Sequence, residues 1–111
     1  MPASPDLDLL QGTLDVLVLK TLSWGPRHGY AVAHWIRQTT SGTLSIEEGA
    51  LYTSLHRMEK RKWIEAEWGV SENNRRAKFY QLTRTGRAQL AQRADRWASY
   101  AAAVSKVLRT A

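Results

Sequence analysis

The chain has 111 residues, 43% hydrophobic and 23% charged, the balance of one globular domain with no room for a second core. It contains no cysteine, which excludes a disulfide scaffold, a thiolate zinc site and a cysteine nucleophile. The net charge is +6, and it is uneven: residues 1–71 sum to −1 and residues 72–111 to +7, so a polyanionic partner is open to it.

Near the N-terminus the longest apolar run is Val16 to Leu19, too short for a membrane span or an export signal. A cytoplasmic protein is expected. Residues Leu7 to Leu22 place apolar side chains at 7, 10, 14, 17 and 18, with a second set at 9, 16 and 19. That is helical spacing over almost the whole circumference, which predicts burial on two sides and a contact with another subunit through Leu10 and Leu14. Gly25-Pro26 ends this helix, because proline cannot continue the ladder.

A second helix is predicted over about His28 to Thr39, closed by Thr40-Ser41-Gly42. The third opens on Ser45-Ile46-Glu47-Glu48, which fits a capping box between Ser45 and Glu48, and runs to about Arg61. Leu51, Leu55 and Met58 form its core stripe. Gly49, Tyr52, Thr53, His56 and Lys60 fall on the other side, a face rich in hydrogen-bonding groups and suited to a contact surface. Arg57 has three readings: a DNA contact, a pair with Glu47 or Glu48, or a pair with the following hairpin.

Trp63 to Trp68 and Lys78 to Thr83 alternate as half-buried strands, joined by the polar loop 69–77 with Asn73-Asn74 at its turn and Arg75 and Arg76 at its tip. Finally, a helix capped at Thr85 or nearby runs to about Arg109, some 35 Å long. Its Leu90, Ala94, Trp97, Ala101, Val104 and Leu108 form an a/d seam, which predicts a homodimer. Trp97, flanked by the small Ala94 and Ala101, is either interface core or the wall of a candidate pocket for a flat apolar or aromatic effector. Trp35 could join it if the second helix faces that pocket.

The expected fold class is therefore mainly α with a small β-hairpin: a winged helix-turn-helix over about residues 7–83, plus a long C-terminal dimerisation helix over about 84–109, in one domain. In that arrangement the third helix enters the major groove of double-stranded DNA. Arg75, Arg76 and Lys78 would meet phosphates, Thr53, His56 and Lys60 base edges, and Tyr52 a phosphate or a sugar. His28, His34 and His56 have no metal-ligand spacing, and residues 25–29 lack the Lys-Ser/Thr of a phosphate-binding loop. No acid–base pair suggests an enzyme, and no cofactor is expected. A winged helix used only for protein–protein contact is the alternative.

The sequence also resembles the PadR family of bacterial transcriptional regulators. The likeness rests on Gly25-Pro26-Arg27-His28-Gly29-Tyr30, on Glu47 to Tyr52 with Leu55 to Glu59, and on Asn74 to Thr83 with Gly86. It implies a homodimer built from the first and last helices, binding a near-palindromic operator, usually as a repressor released by an effector or by stress. With a single C-terminal helix the chain resembles the compact subgroup. Two positions depart from the family pattern: Thr53 stands where proline is common, and Lys62 where glycine is common. If residue 62 is left-handed, lysine costs about 1 kcal/mol there.

Overall fold

Residues 11–111 are described by a computed structural model. Four helices and three short strands follow one another as α1 (Gln11–Leu22), β1 (Arg27–His28), α2 (Gly29–Thr39), α3 (Glu48–Lys60), β2 (Ile64–Val70), β3 (Arg76–Leu82) and α4 (Arg84–Arg109). Leu10 and the rest of the predicted first helix before Gln11 lie outside the described residues.

Within α1, Leu14, Val16, Val18, Leu19 and Leu22 are all buried, as the two-sided apolar pattern requires. Much of that covering comes from within: α1 packs against α2, α3, α4 and β3 of its own chain, and Leu14 belongs to that core. Val32 and Ile36 of α2, Leu51, Leu55 and Met58 of α3, Trp63 before the sheet, and Ile64, Tyr80 and Leu82 within it complete the cluster. Burying eight or more such side chains at about 1.5–3 kcal/mol each is the main force holding the helices together.

Helix α3 starts at Glu48 rather than at the predicted capping box. Its N-cap is Glu47, which makes no side-chain cap bond. Leu44 and Ile46 both pack against the core, which keeps this segment extended and leaves Ser45 exposed, too early to cap. At the other end Lys62 has φ +64°. Its N–H donates to the Glu59 carbonyl at 3.0 Å and that of Trp63 to Met58 at 3.0 Å, a Schellman closure with buried Trp63 lying over Met58's end of the helix. The left-handed position anticipated for residue 62 is present, and a lysine occupies it.

The sheet has three strands in the order β1-β3-β2, all antiparallel. Strand β1 is only two residues long, pairing Arg27 with Tyr80 and His28 with Phe79, and a run so short has no periodicity to reveal it. His28 also caps α2, its Nδ1 accepting from the Ala31 N–H at 3.2 Å. Helix α4 is capped by Thr83, two residues before the predicted position. Its hydroxyl accepts from the Gly86 N–H at 3.0 Å and reaches back to the Lys62 carbonyl at 2.7 Å. A Cβ on Gly86 would sit 1.9 Å from the Trp63 carbonyl oxygen, so only glycine lets α4 leave the sheet here.

Candidate nucleic-acid interface

The α3 periodicity separates two surfaces cleanly. Leu51, Ser54, Leu55 and Met58 are buried, while Tyr52, Thr53, His56 and Lys60 are exposed. Tyr52, 42% exposed, leans its ring on α2: a Cβ added at Gly29 would meet the Tyr52 hydroxyl at 2.6 Å. The His28-Gly29-Tyr30 segment therefore serves helix entry and the seating of this tyrosine. Beyond α2's start, Tyr30 stacks near-parallel on His34 at 5.9 Å and on His28 at 6.3 Å.

Arg57 pairs neither with Glu47 or Glu48 nor with the hairpin. It pairs with Asp15 of α1, whose Oδ1 also accepts from the Ser54 hydroxyl at 2.6 Å. Asp15 and Ser54 are both buried. This polar clasp ties the hidden side of α3 to α1, and it fixes how far the outward face stands from the body of the domain. Asp15 escaped the sequence reading because an acid inside an apolar helix looks like a solvated position.

The hairpin places Arg75 and Arg76 in the open at its turn, with Asn74 at φ +60° as the Asn-Asn pair suggested. Arg76 stacks its guanidinium on Trp68, 4.6 Å from the ring centroid. Lys78 is partly covered and donates to Glu59 Oε1 of α3 at 3.3 Å, so its charge is already matched, and this bond holds the hairpin beside α3. Behind it, burial raises the Tyr80 hydroxyl above its ordinary value of 10.0, with smaller contributions from the nearby charges of Glu59 and Tyr52.

Along α4, Leu90 lies against the core. From Ala94 onward the helix is almost entirely exposed: Trp97 at 47%, with Tyr100, Val104, Val107 and Leu108 also open to solvent. Ala101 is half-buried. A groove of about 310 Å³ between α1 and α4 is lined by Gly12, Thr13, Val16, Arg93, Arg96, Trp97 and Tyr100. Trp35 is not part of it. That side chain packs against Trp24 at 5.0 Å.

Among the described residues no helix is long and apolar enough to cross a membrane, and no three His, Asp or Glu are grouped to hold a metal ion.

Residues 18–92 match the sequence model of the Transcriptional regulator PadR-like family. The chain is 32% identical over 91 residues to an uncharacterized protein of Lysinibacillus sphaericus, covering 82% of this chain and 84% of that one. Its fold is similar to a transcriptional regulator from Clostridium thermocellum, at 28% identity and a TM-score of 0.79, covering 89% of this chain and 96% of that one. It is also similar to a PadR-like transcriptional regulator from Bacillus cereus (26%, TM-score 0.77, coverage 92% and 97%). A PadR family transcriptional regulator from Eggerthella lenta resembles it likewise (30%, TM-score 0.77, coverage 95% and 89%).

Proposed function

Because this chain belongs to the PadR-like family of transcriptional regulators, we propose that it binds operator DNA as a homodimer and represses transcription. The observation that carries the reading is the outward face of α3. Tyr52, Thr53, His56 and Lys60 are exposed together on a helix whose other side is core, and a hairpin tip with two exposed arginines, neither paired with an acid, adjoins it. Thr53, His56 and Lys60 are proposed to address base edges, and Tyr52 a phosphate or sugar. Arg75 and Arg76 are proposed to meet phosphates and make binding steeply salt-dependent. Lys78 contributes less, because Glu59 already holds it.

The exposed stripe on α4 supports the homodimer. A 26-residue helix is about 39 Å long, and its second half has no partner within the described chain. Trp97, Val104 and Leu108 at heptad spacing, with Ala94 and Ala101 between, would close on the same residues of a second copy around a two-fold axis. That axis would present two α3 helices to successive major grooves about 34 Å apart. The groove beside Trp97 lies at the edge of this surface, where a flat apolar effector would stack on the indole and alter the angle between subunits.

Capture and sequencing of sheared genomic DNA from the source organism, at moderate salt, tests this. Enrichment of an inverted repeat with half-sites about ten base pairs apart and overlapping promoters is the expected result. Enrichment of nothing, or of all fragments alike, would refute a sequence-specific regulator.

A further inference from the structure

The register of the hairpin gives it two faces of different chemistry. At its base the facing pairs Ile64–Leu82 and Ala66–Tyr80 point into the core. The same face continues outward through the pairs Trp68–Lys78 and Val70–Arg76, where no core remains to be covered. Trp68 is 57% exposed there and Val70 is still more open. The opposite face of β2 carries Glu65 and Glu67. The cations and the indole thus share one side of the hairpin, and the acids occupy the other.

That shared side is the one turned toward α3, since Lys78 on it bonds Glu59 of that helix. Trp68 is the cross-strand neighbour of that lysine on the same side of the hairpin, with the Arg76 guanidinium stacked on its ring. A large apolar ring left in water and flanked by positive charge suits a polyanion that also presents apolar surface at each repeat. The sugar–phosphate backbone of duplex DNA is such a polymer: deoxyribose C–H edges can lie on the indole while phosphates face the arginine.

We propose that Trp68 is a DNA-backbone contact, its indole packed against a deoxyribose while the stacked Arg76 is held at the neighbouring phosphate. The inference rests on the DNA-binding reading above and adds an uncharged contact to it. The contact is indifferent to base sequence, so it operates on any duplex.

The test measures affinity of the full chain for a mixed-sequence duplex of about three helical turns over a salt series. Wild type, Trp68→Ala, Trp68→Phe and Arg76→Ala are compared. Trp68→Ala is expected to bind roughly tenfold more weakly with the same dependence of log affinity on log salt, because no phosphate partner is removed. Arg76→Ala is expected to flatten that dependence by about one unit per hairpin. Trp68→Phe, which keeps an aromatic face, should retain most of the affinity. In addition, tryptophan emission should change on DNA binding in wild type by more than in Trp68→Phe, where only Trp24, Trp35, Trp63 and Trp97 remain. Wild-type affinity in Trp68→Ala overturns the proposal while leaving the DNA-binding reading intact. So does a loss that flattens the salt slope as Arg76→Ala does, because Trp68 would then act only through the arginine. A wild-type chain with no affinity for the duplex overturns both.

Discussion

Breaking the clasp between α1 and α3 should cost more from the arginine side than from the aspartate side. Asp15 has 3% of its side chain exposed and Arg57 has 21%. Removing one member of a buried pair leaves the other uncompensated, at a cost of about 3–5 kcal/mol when water cannot reach it. Arg57→Ala strands a carboxylate that has only the Ser54 hydroxyl left to it, so it should fall within that range. Asp15→Ala strands a guanidinium whose end can turn outward, and it leaves one buried hydroxyl without its acceptor. Its cost should be nearer 2 kcal/mol. Urea unfolding followed by circular dichroism at one fixed protomer concentration reads both values, with unchanged slopes expected. The Asp15→Leu, Arg57→Met double variant should recover much of the loss, since an apolar pair needs no mutual neutralisation. Equal costs, a reversed order, or two losses below about 1 kcal/mol would refute the view that differential access to water governs this pair.

Lys62→Gly should raise the thermal midpoint by about 4 °C, because a side chain at φ +64° costs about 1 kcal/mol that glycine avoids; an unchanged or lower midpoint would contradict this. Tyr80 is held above its ordinary value of 10.0 chiefly by burial, so the folded chain keeps that proton more tightly than the unfolded one. The stability this represents is complete below pH 10 and is lost as pH rises beyond it. Unfolding free energies measured from pH 9 upward should therefore fall more steeply for wild type than for Tyr80→Phe, and parallel curves would exclude the linkage. On the DNA side, Arg75→Ala should weaken every duplex alike and lessen the salt dependence, whereas His56→Ala should change preference among sequences by about 1–3 kcal/mol at the affected base pair. Indistinguishable effects in a binding-site selection would sink that division of roles.

Much of the fold was legible because two kinds of signal agree along the chain. The 4-and-3 stepping of Leu51, Leu55 and Met58 gives the buried side of α3, and the alternation in 63–68 and 78–83 gives the hairpin, whose strands are Ile64–Val70 and Arg76–Leu82. What escaped was decided by contacts distant in sequence. Ser45 and Glu48 satisfy the local rule for a cap, but the packing of half-buried Leu44 and Ile46 against the core moves the helix start to Glu48. Thr83 outcompetes Thr85 because its hydroxyl can also reach the Lys62 carbonyl, 21 residues earlier. The apolar circumference of α1 was read correctly as burial, yet periodicity carries no information about which chain does the covering.

The candidate site divides along the same physical line. Outward polar residues on α3 and cations at a turn are visible in sequence because they answer to solvent, and solvent exposure follows from helix phase and hairpin register alone. Pairings depend on a third element, and these were missed: Lys78 finds Glu59 on α3, and Arg57 finds Asp15, 42 residues earlier. Trp68 lies between the two cases. Counting by twos from buried Ile64 puts it on the inner face of the hairpin, where a tryptophan reads as core. Only the distance at which the core ends, between the Ala66–Tyr80 and Trp68–Lys78 pairs, turns the same residue into surface. A strand that outruns its core converts inward-facing side chains into a contact face, and the alternation pattern is blind to where that conversion occurs.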